Sequence, residues 1–279
     1  MMEYKLNILE DEFADELGLP ICKKCLQPRY YLSKEDNICV RAACECQSKQ
    51  FEIQRDNEIA KCNQQKLQAL REYSLMGKKY FNCTFENSTI NEINKVVYEK
   101  CQKYTEHAKI MCENGLGLYI FGPNGSGKTH LLACICNRLI EFGYRCYFTN
   151  FFEIFKAIKQ ANYMKDISES EFLNKINEVD FLFIDDLGKE FLAREVGQNS
   201  AKWLEEKVFD VINKRYNAKL PIIFSGNYSI QELGTVLDLD RSILERINEI
   251  SARCLYLTGQ NFRKNLQQSN SELLKKLGI

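Results

Sequence analysis

The chain predicts an α/β fold in which helices flank an open, parallel, five-stranded sheet. Three observations lead there. Five short runs, "LGLYIFG" (116–122), "RCYFTN" (145–150), "VDFLFIDD" (179–186), "PIIFSGN" (221–227) and "ARCLYLTG" (252–259), are apolar in the way that strands buried on both faces require. Helix-length segments separate them, among them "KTHLLACICNRLIEFG", which ends on Gly143, and "NSAKWLEEKVFDVINKRYNA". Regular alternation of the two implies right-handed crossovers between parallel strands, with no internal repeat.

Composition sets the limits around that core. The 279 residues are 45% hydrophobic, and 38 basic side chains balance 38 acidic ones. Bulk charge therefore gives no reason to invoke nucleic acid, and any such surface must be a local patch. There is no apolar run of about 18 residues, and "MMEYKLNILEDEFADELG" is acidic where an export signal would be basic and then apolar. The expectation is a cytoplasmic protein without a membrane partner. In that setting the 13 cysteines read as metal ligands and buried thiols rather than disulfides.

Four segments follow. Residues 1–48 hold an acidic arm, read as an arm or short helix up to Gly18 and Pro20, and then a cysteine-rich module. Within it Cys22, Cys25, Cys44 and Cys46 supply two pairs of thiolates separated by eighteen residues, enough to close a structural zinc site in a segment too small for its own core. Cys39 is a fifth candidate ligand. Residues 49–78 lack Gly and Pro apart from Gly77 and place Phe51, Ile59, Leu67 and Leu70 at helical spacings, which predicts a helical linker. Residues 79–265 form the sheet domain, and 266–279 a solvated tail.

The chemistry concentrates at the C-terminal ends of the predicted strands. "GPNGSGKTH" follows the first strand and opens a helix, so the loop residues Gly122, Pro123, Asn124, Gly125, Ser126, Gly127, Lys128, Thr129 and His130 are placed around phosphates, with backbone amides and the helix N-terminus facing them. Lys128 is expected to reach the β and γ phosphates of ATP, and the Thr129 hydroxyl to ligate magnesium. "FLFIDDLG" puts two carboxylates at the next functional strand end: Asp185 as a magnesium partner and Asp186 as the group that orients or deprotonates water. Asn227 ends the fourth strand in "SGNYS". Arg241 and Arg246 lie on a predicted helix in "DRSILERINEIS", and Arg263 follows the last strand in "GQNFRK". No Asn-Lys-x-Asp guanine motif and no Leu-Ser-Gly-Gly-Gln transporter signature occurs, which favours ATP over GTP.

Together, the phosphate loop, "IDDLG", the Asn-tipped fourth strand, "ILERI" and "GQNFR" resemble the lidless AAA+ P-loop ATPases of the bacterial helicase-loader group, the DnaC and DnaI proteins, and their relative the IstB transposition helper. The resemblance spans about residues 80–265, and "FNCTFENST" at 81–89 looks like the linker that enters this family's ATPase domain. It implies that Asn227 is sensor 1, that Arg246 is the arginine finger reaching a neighbouring subunit, with Arg241 as competitor, and that Arg263 is sensor 2. Only twenty residues follow Gly259, too few for the usual helical lid. The implied function is ATP-dependent loading of a replicative DNA helicase by a self-associating ATPase that handles single-stranded DNA. An IstB-like transposition helper and a weakly hydrolysing nucleotide switch are the alternatives. Phe152, Phe155, Ile158 and Lys159 lie where this family meets single-stranded DNA, although phenylalanines at i and i+3 are more often core.

Overall fold

The computed structural model describes residues 6–33, 38–164, 174, 176–188, 198–236, 239–259 and 261–262. The chain divides into two compact units, Met1–Lys66 and Leu67–Ile279. The first holds two antiparallel strand pairs: β1 (Glu12–Ala14) with β2 (Pro20–Cys22), and β3 (Tyr30–Ser33) with β4 (Ile38–Arg41). The expected arm or helix before the cysteines is thus a strand and a turn. Its cause is Asp15, whose carboxylate accepts from the amides of Leu17 (2.9 Å) and Leu19 (2.8 Å) and stops any helix there. Helix α1 (Glu45–Tyr73) follows without a single buried residue, and the division between the units falls within it.

In the second unit, α2 (Lys95–Glu106) and α3 (Ala108–Glu113) precede β5 (Gly117–Phe121). Then come α4 (Lys128–Glu141), β6 (Cys146–Thr149), α5 (Phe151–Met164), β7 (Phe181–Leu187), α6 (Gln198–Asn217) and β8 (Ile222–Gly226). The described elements end with α7 (Ile230–Val236), α8 (Arg241–Ile250) and β9 (Ser251–Tyr256). The five strands β5–β9 form one parallel sheet in the order β6-β7-β8-β5-β9.

Strand alternation divides the core in two. Leu118 and Ile120 of β5, Phe181 and Phe183 of β7 and Ile223 of β8 face α2 and α4. Tyr119, Leu182, Ile184, Ile222 and Phe224 face α5, α6 and α8 on the other side. Because helices cover both faces, neither set can be polar, which is why the strands read as unbroken apolar runs. β5 sits between β8 and β9, and its connection through α4 passes over β8 and β7 to the β6 edge. That reversal opens a crevice at the C-terminal end of β5. Among the described residues no helix is long and apolar enough to cross a membrane.

Candidate functional site

The loop from Gly122 to Thr129 lies at this crevice. Gly122 has φ 152°, and a Cβ there would stand 2.0 Å from the Leu257 carbonyl oxygen, so the loop can leave the sheet here only as glycine. Gly127 (φ 94°) caps α4 in the left-handed region and turns the chain into the helix. Lys128 is 6% exposed, and its ammonium donates to the carbonyls of Gly122 and Pro123, both at 2.9 Å. Pro123 and Asn124 are exposed, whereas Ser126 is buried with its hydroxyl unpartnered. His130 points elsewhere: its Nε2 lies 3.0 Å from Ser88 Oγ.

Across the crevice, Thr129 Oγ1 donates to Asp185 Oδ2 at 2.8 Å, and Ser225 of β8 donates to the other carboxylate oxygen. Burial holds the Asp185 carboxyl above its ordinary pKa, with the Asp186 charge adding and the hydroxyl bonds opposing. Asp186 occupies the left-handed region (φ 59°), where the β7–β8 register shifts between Ile184 and Leu187. Its amide donates to Ser225 Oγ at 3.1 Å. A non-glycine residue in that conformation at a bulge is strained, and such strain re-aims a side chain. Here it separates two adjacent carboxylates, so that only one joins Thr129.

Asn227 stands just past β8 with its side-chain carbonyl oxygen buried and unpartnered. Two orphaned polar atoms, at Ser126 and Asn227, beside a loop with glycine at 122, 125 and 127 fit a phosphate-bearing ligand with its divalent cation. The arginines differ. Arg246 donates to Asn213 Oδ1 (2.7 Å) and the Ser242 carbonyl (3.0 Å), and stacks over Phe209 at 4.7 Å. Arg241 has a side chain 91% exposed and pairs only with Glu245 of its own helix among the described residues. Arg263 lies outside the described residues. Its neighbours reach the loop, since the Phe262 amide donates to Gly125 O at 3.1 Å and Asn261 packs on Gly125. Phe155 and Ile158 are buried, whereas Phe152 is 68% exposed; the Lys159 side chain and the 266–279 tail lie outside the described residues.

In the first unit the sulfurs of Cys22, Cys25, Cys44 and Cys46 all lie within 4.8 Å of one another, with Cys22–Cys46 at 3.5 Å and Cys44–Cys46 at 3.3 Å. Tetrahedral zinc with Zn–S bonds of about 2.3 Å would set them about 3.8 Å apart, so the donor set fits that ion. Cys22 and Cys25 sit on a tight turn closed by the Leu26 amide on the Cys22 carbonyl (2.9 Å), with Leu26 itself at φ 58°. Cys44 precedes α1 and Cys46 lies in its first turn, where the helix N-terminus favours thiolates. The Cys25 amide, against the cost of burial, helps hold the Cys22 thiol down to about 6, while hydrogen bonding to Cys44 pushes Cys46 up to about 12. Cys39 is on β4 opposite Leu32, outside this group of four.

Sequence reasoning passed over Ser225 and the residues around the cysteines, and placed Ser126 in the phosphate loop without a part for its hydroxyl. "FSGN" contains Ser225 two positions before Asn227, but its role depends on β8 lying next to β7, which the strand pattern does not specify.

A parallel sheet with this loop, a paired carboxylate and a polar strand tip defines a P-loop nucleotide-binding protein of the AAA+ architecture. The IstB-like ATP binding protein family matches residues 108–270, more than half of the chain, and the chain belongs to that family. It is 29% identical over 176 residues to the replicative helicase loader DnaI of Bacillus subtilis strain 168, covering 61% of this chain and 52% of DnaI. It is 28% identical over 158 residues to the replicative helicase loader DnaC of Escherichia coli strain K12, covering 56% of this chain and 60% of DnaC. The chain thus spans between half and two thirds of these relatives. A crystal structure of the DnaC helicase loader shares the fold, with a TM-score of 0.54 at 24% identity over 65% of this chain and all of that one.

Proposed function

We propose that this protein is an ATP-driven loader of a replicative DNA helicase, built from a zinc module (1–48), a helical linker (49–78), an ATPase domain (79–265) and a tail (266–279). The observation that carries the nucleotide part is the bond from Thr129 to Asp185 across the crevice, which ties the phosphate loop to the carboxylate strand. In this reading Gly122 to Thr129 hold the phosphates and Lys128 leaves its loop carbonyls to meet them. Thr129 and Asp185 hold magnesium, which supplies neutralisation of the phosphate charge. Asp186, displaced by the bulge, holds and deprotonates the attacking water, and Asn227 orients it. Arg263 completes the chain's own site.

An α8 arginine acts on the neighbouring subunit, which makes ATP binding a cause of self-association. Arg246 must give up Asn213 and Phe209 to do so, whereas Arg241 is already exposed. Relatives named as replicative helicase loaders support the helicase as a partner, and single-stranded DNA is proposed as the track on which it is placed. The test is ATP-dependent deposition of the same cell's replicative helicase on single-stranded DNA, with mixed variants. Chains carrying Lys128→Ala, combined with Arg246→Ala chains, should regain turnover, because one interface then pairs an intact loop with an intact finger. Finger contributions of about 10³ or more make the rescue measurable. Rescue by Arg241→Ala chains instead assigns the role to Arg241, and rescue in neither mixture, in chains that co-assemble, overturns the intersubunit reading. Failure to bind or deposit the helicase overturns the loader reading.

A further inference from the structure

Arg29 is almost fully buried, at 4% exposure, in a unit with few buried side chains. Its main chain is fixed at both ends: the amide donates to Pro20 O and the carbonyl accepts from Ala42, each at 2.8 Å. Nη1 donates to Glu12 Oε1 at 3.1 Å, and Nη2 lies 2.7 Å from Asp11 Oδ2 and 3.4 Å from Cys22 Sγ. Cys44 Sγ lies in the same cluster, within 4.8 Å of Cys22 Sγ.

The carboxylates around it are either shared or exposed. Glu12 is buried, but it already has a second cation, Arg41, at 2.5 Å, and it accepts from the Leu9 amide at 2.9 Å. Asp11 is 63% exposed on its side chain, so water screens its pairing with Arg29. Lys23 reaches outward to the Glu10 carbonyl, and Tyr30 is engaged by Asp15. Buried Glu12 is thus shared between two guanidinium groups, and a further anionic partner beside Arg29 stabilises its buried charge. Four thiolates around a divalent cation carry a net charge of about −2, and the sulfur that Arg29 meets, Cys22, is one of the two buried ones of the four.

We propose that Arg29 is an outer-sphere positioning residue of the cysteine centre: it donates to Cys22, halves the net charge of the metal–thiolate group, and ties the Cys22–Cys25 turn to Glu12 of β1. The inference rests on the reading of the four cysteines as a metal site. It also explains why an acidic segment precedes the cysteines, since Asp11 and Glu12 orient the guanidinium.

The full-length chain is loaded with cadmium-113, and through-bond coupling is measured between the metal and the arginine η protons. A coupling to an Arg29 η proton, carried across sulfur, is the expected result. In parallel, Arg29→Gln should bind zinc 10- to 100-fold more weakly in competition with a chromophoric chelator, the usual range for outer-shell partners. Its cobalt-loaded form should show the thiolate-to-metal charge-transfer band moved to lower energy. If wild-type chains bind one metal but show no coupling, or if Arg29→Gln keeps both affinity and band position, Arg29 is only a structural ion-pair partner and the proposal falls. Wild-type chains that bind no metal at the cysteines overturn the metal reading itself, and this inference with it. Should Arg29→Gln fail to fold, the wild-type coupling decides alone.

Discussion

The two units of this protein are held together by different physics. In Leu67–Ile279, both faces of a sheet are packed with fully buried Phe181, Leu182, Phe183 and Ile184 and their neighbours. In Met1–Lys66 the fully buried apolar positions are few, among them Leu19, Cys22 and Cys44, while Leu17, Leu26 and Tyr31 are all more than 60% exposed. Its interior is instead four sulfurs and an ion network around Glu12 and Arg29. Hydrophobic burial scales with chain length, so a segment this short needs a cross-link where the larger one needs none.

The sharpest way to break that contrast is to remove the proposed metal cross-link. Changing Cys22 and Cys25 to Ser, or adding a strong chelator, should unfold the first unit outright, because structural zinc contributes about 10–16 kcal/mol to modules of this kind. The second unit should keep its melting transition and its nucleotide binding. Limited proteolysis followed by mass mapping reads both at once. An N-terminal digestion pattern unchanged by metal removal would mean that the ion network alone suffices.

Truncating the large unit's core is the converse test. Phe183→Ala removes a ring that is fully buried and stacked on Phe148 at 5.7 Å, and should cost about 3–5 kcal/mol. Metal content should stay at its wild-type value. Loss of metal in this variant would show that the first unit depends on the second for its fold.

The same contrast explains what the sequence disclosed. All five strands of the large sheet could be placed from apolar runs, because burial on both faces leaves a continuous pattern, and the phosphate loop and Asp185–Asp186 follow at their ends. The strand order did not show, since which strands neighbour each other is decided by long-range packing; with it, the part played by Ser225 was hidden. Helices α2 and α3 also escaped, because their polar faces dilute the apolar period. In the small unit the ligand spacing was visible in Cys22, Cys25, Cys44 and Cys46. Its strands were not: β1 and β2 are three residues each, held by Asp15 and by Glu12 with two arginines rather than by any periodicity. Arg246 reads as a finger by its motif, yet its guanidinium is occupied by Asn213 and Phe209, a contact that no local pattern encodes.

A smaller effect separates core from site within the large unit. Burial raises the Asp185 pKa above its unfolded value, so the carboxyl favours folding below that unfolded value, near 3.8, and this contribution is lost as pH rises through the folded pKa. At neutral pH the charged form is therefore a liability of the kind that active sites carry. Asp185→Asn should raise nucleotide-free stability by about 0.5–2 kcal/mol at pH 7, while magnesium-dependent ATP turnover is lost. Equal or lower stability, with turnover lost, would indicate that the bonds from Thr129 and Ser225 outweigh the burial of charge.

The smallest effect concerns His130, the one residue of the loop motif whose side chain turns towards the entering linker rather than the crevice. Its ring meets Ser88, which also donates to Thr84 O at 2.6 Å, so the pair fastens residues 84–88 to the first turn of α4. Burial lowers the His130 pKa below 6.5, which means that the unfolded chain takes up the proton first as pH falls. The contribution of this group is thus fully present above the unfolded pKa and is lost as pH drops from about 6.5 through the folded pKa. His130→Gln can still bond Ser88 but cannot titrate, so it should flatten the stability profile between about pH 7 and 5 without changing the plateau. Ser88→Ala should lower the plateau by about 0.5–1.5 kcal/mol, the net value of one hydrogen bond. Denaturant midpoints measured across that range distinguish the two, and a profile equally steep in wild type and His130→Gln would place the titrating group elsewhere.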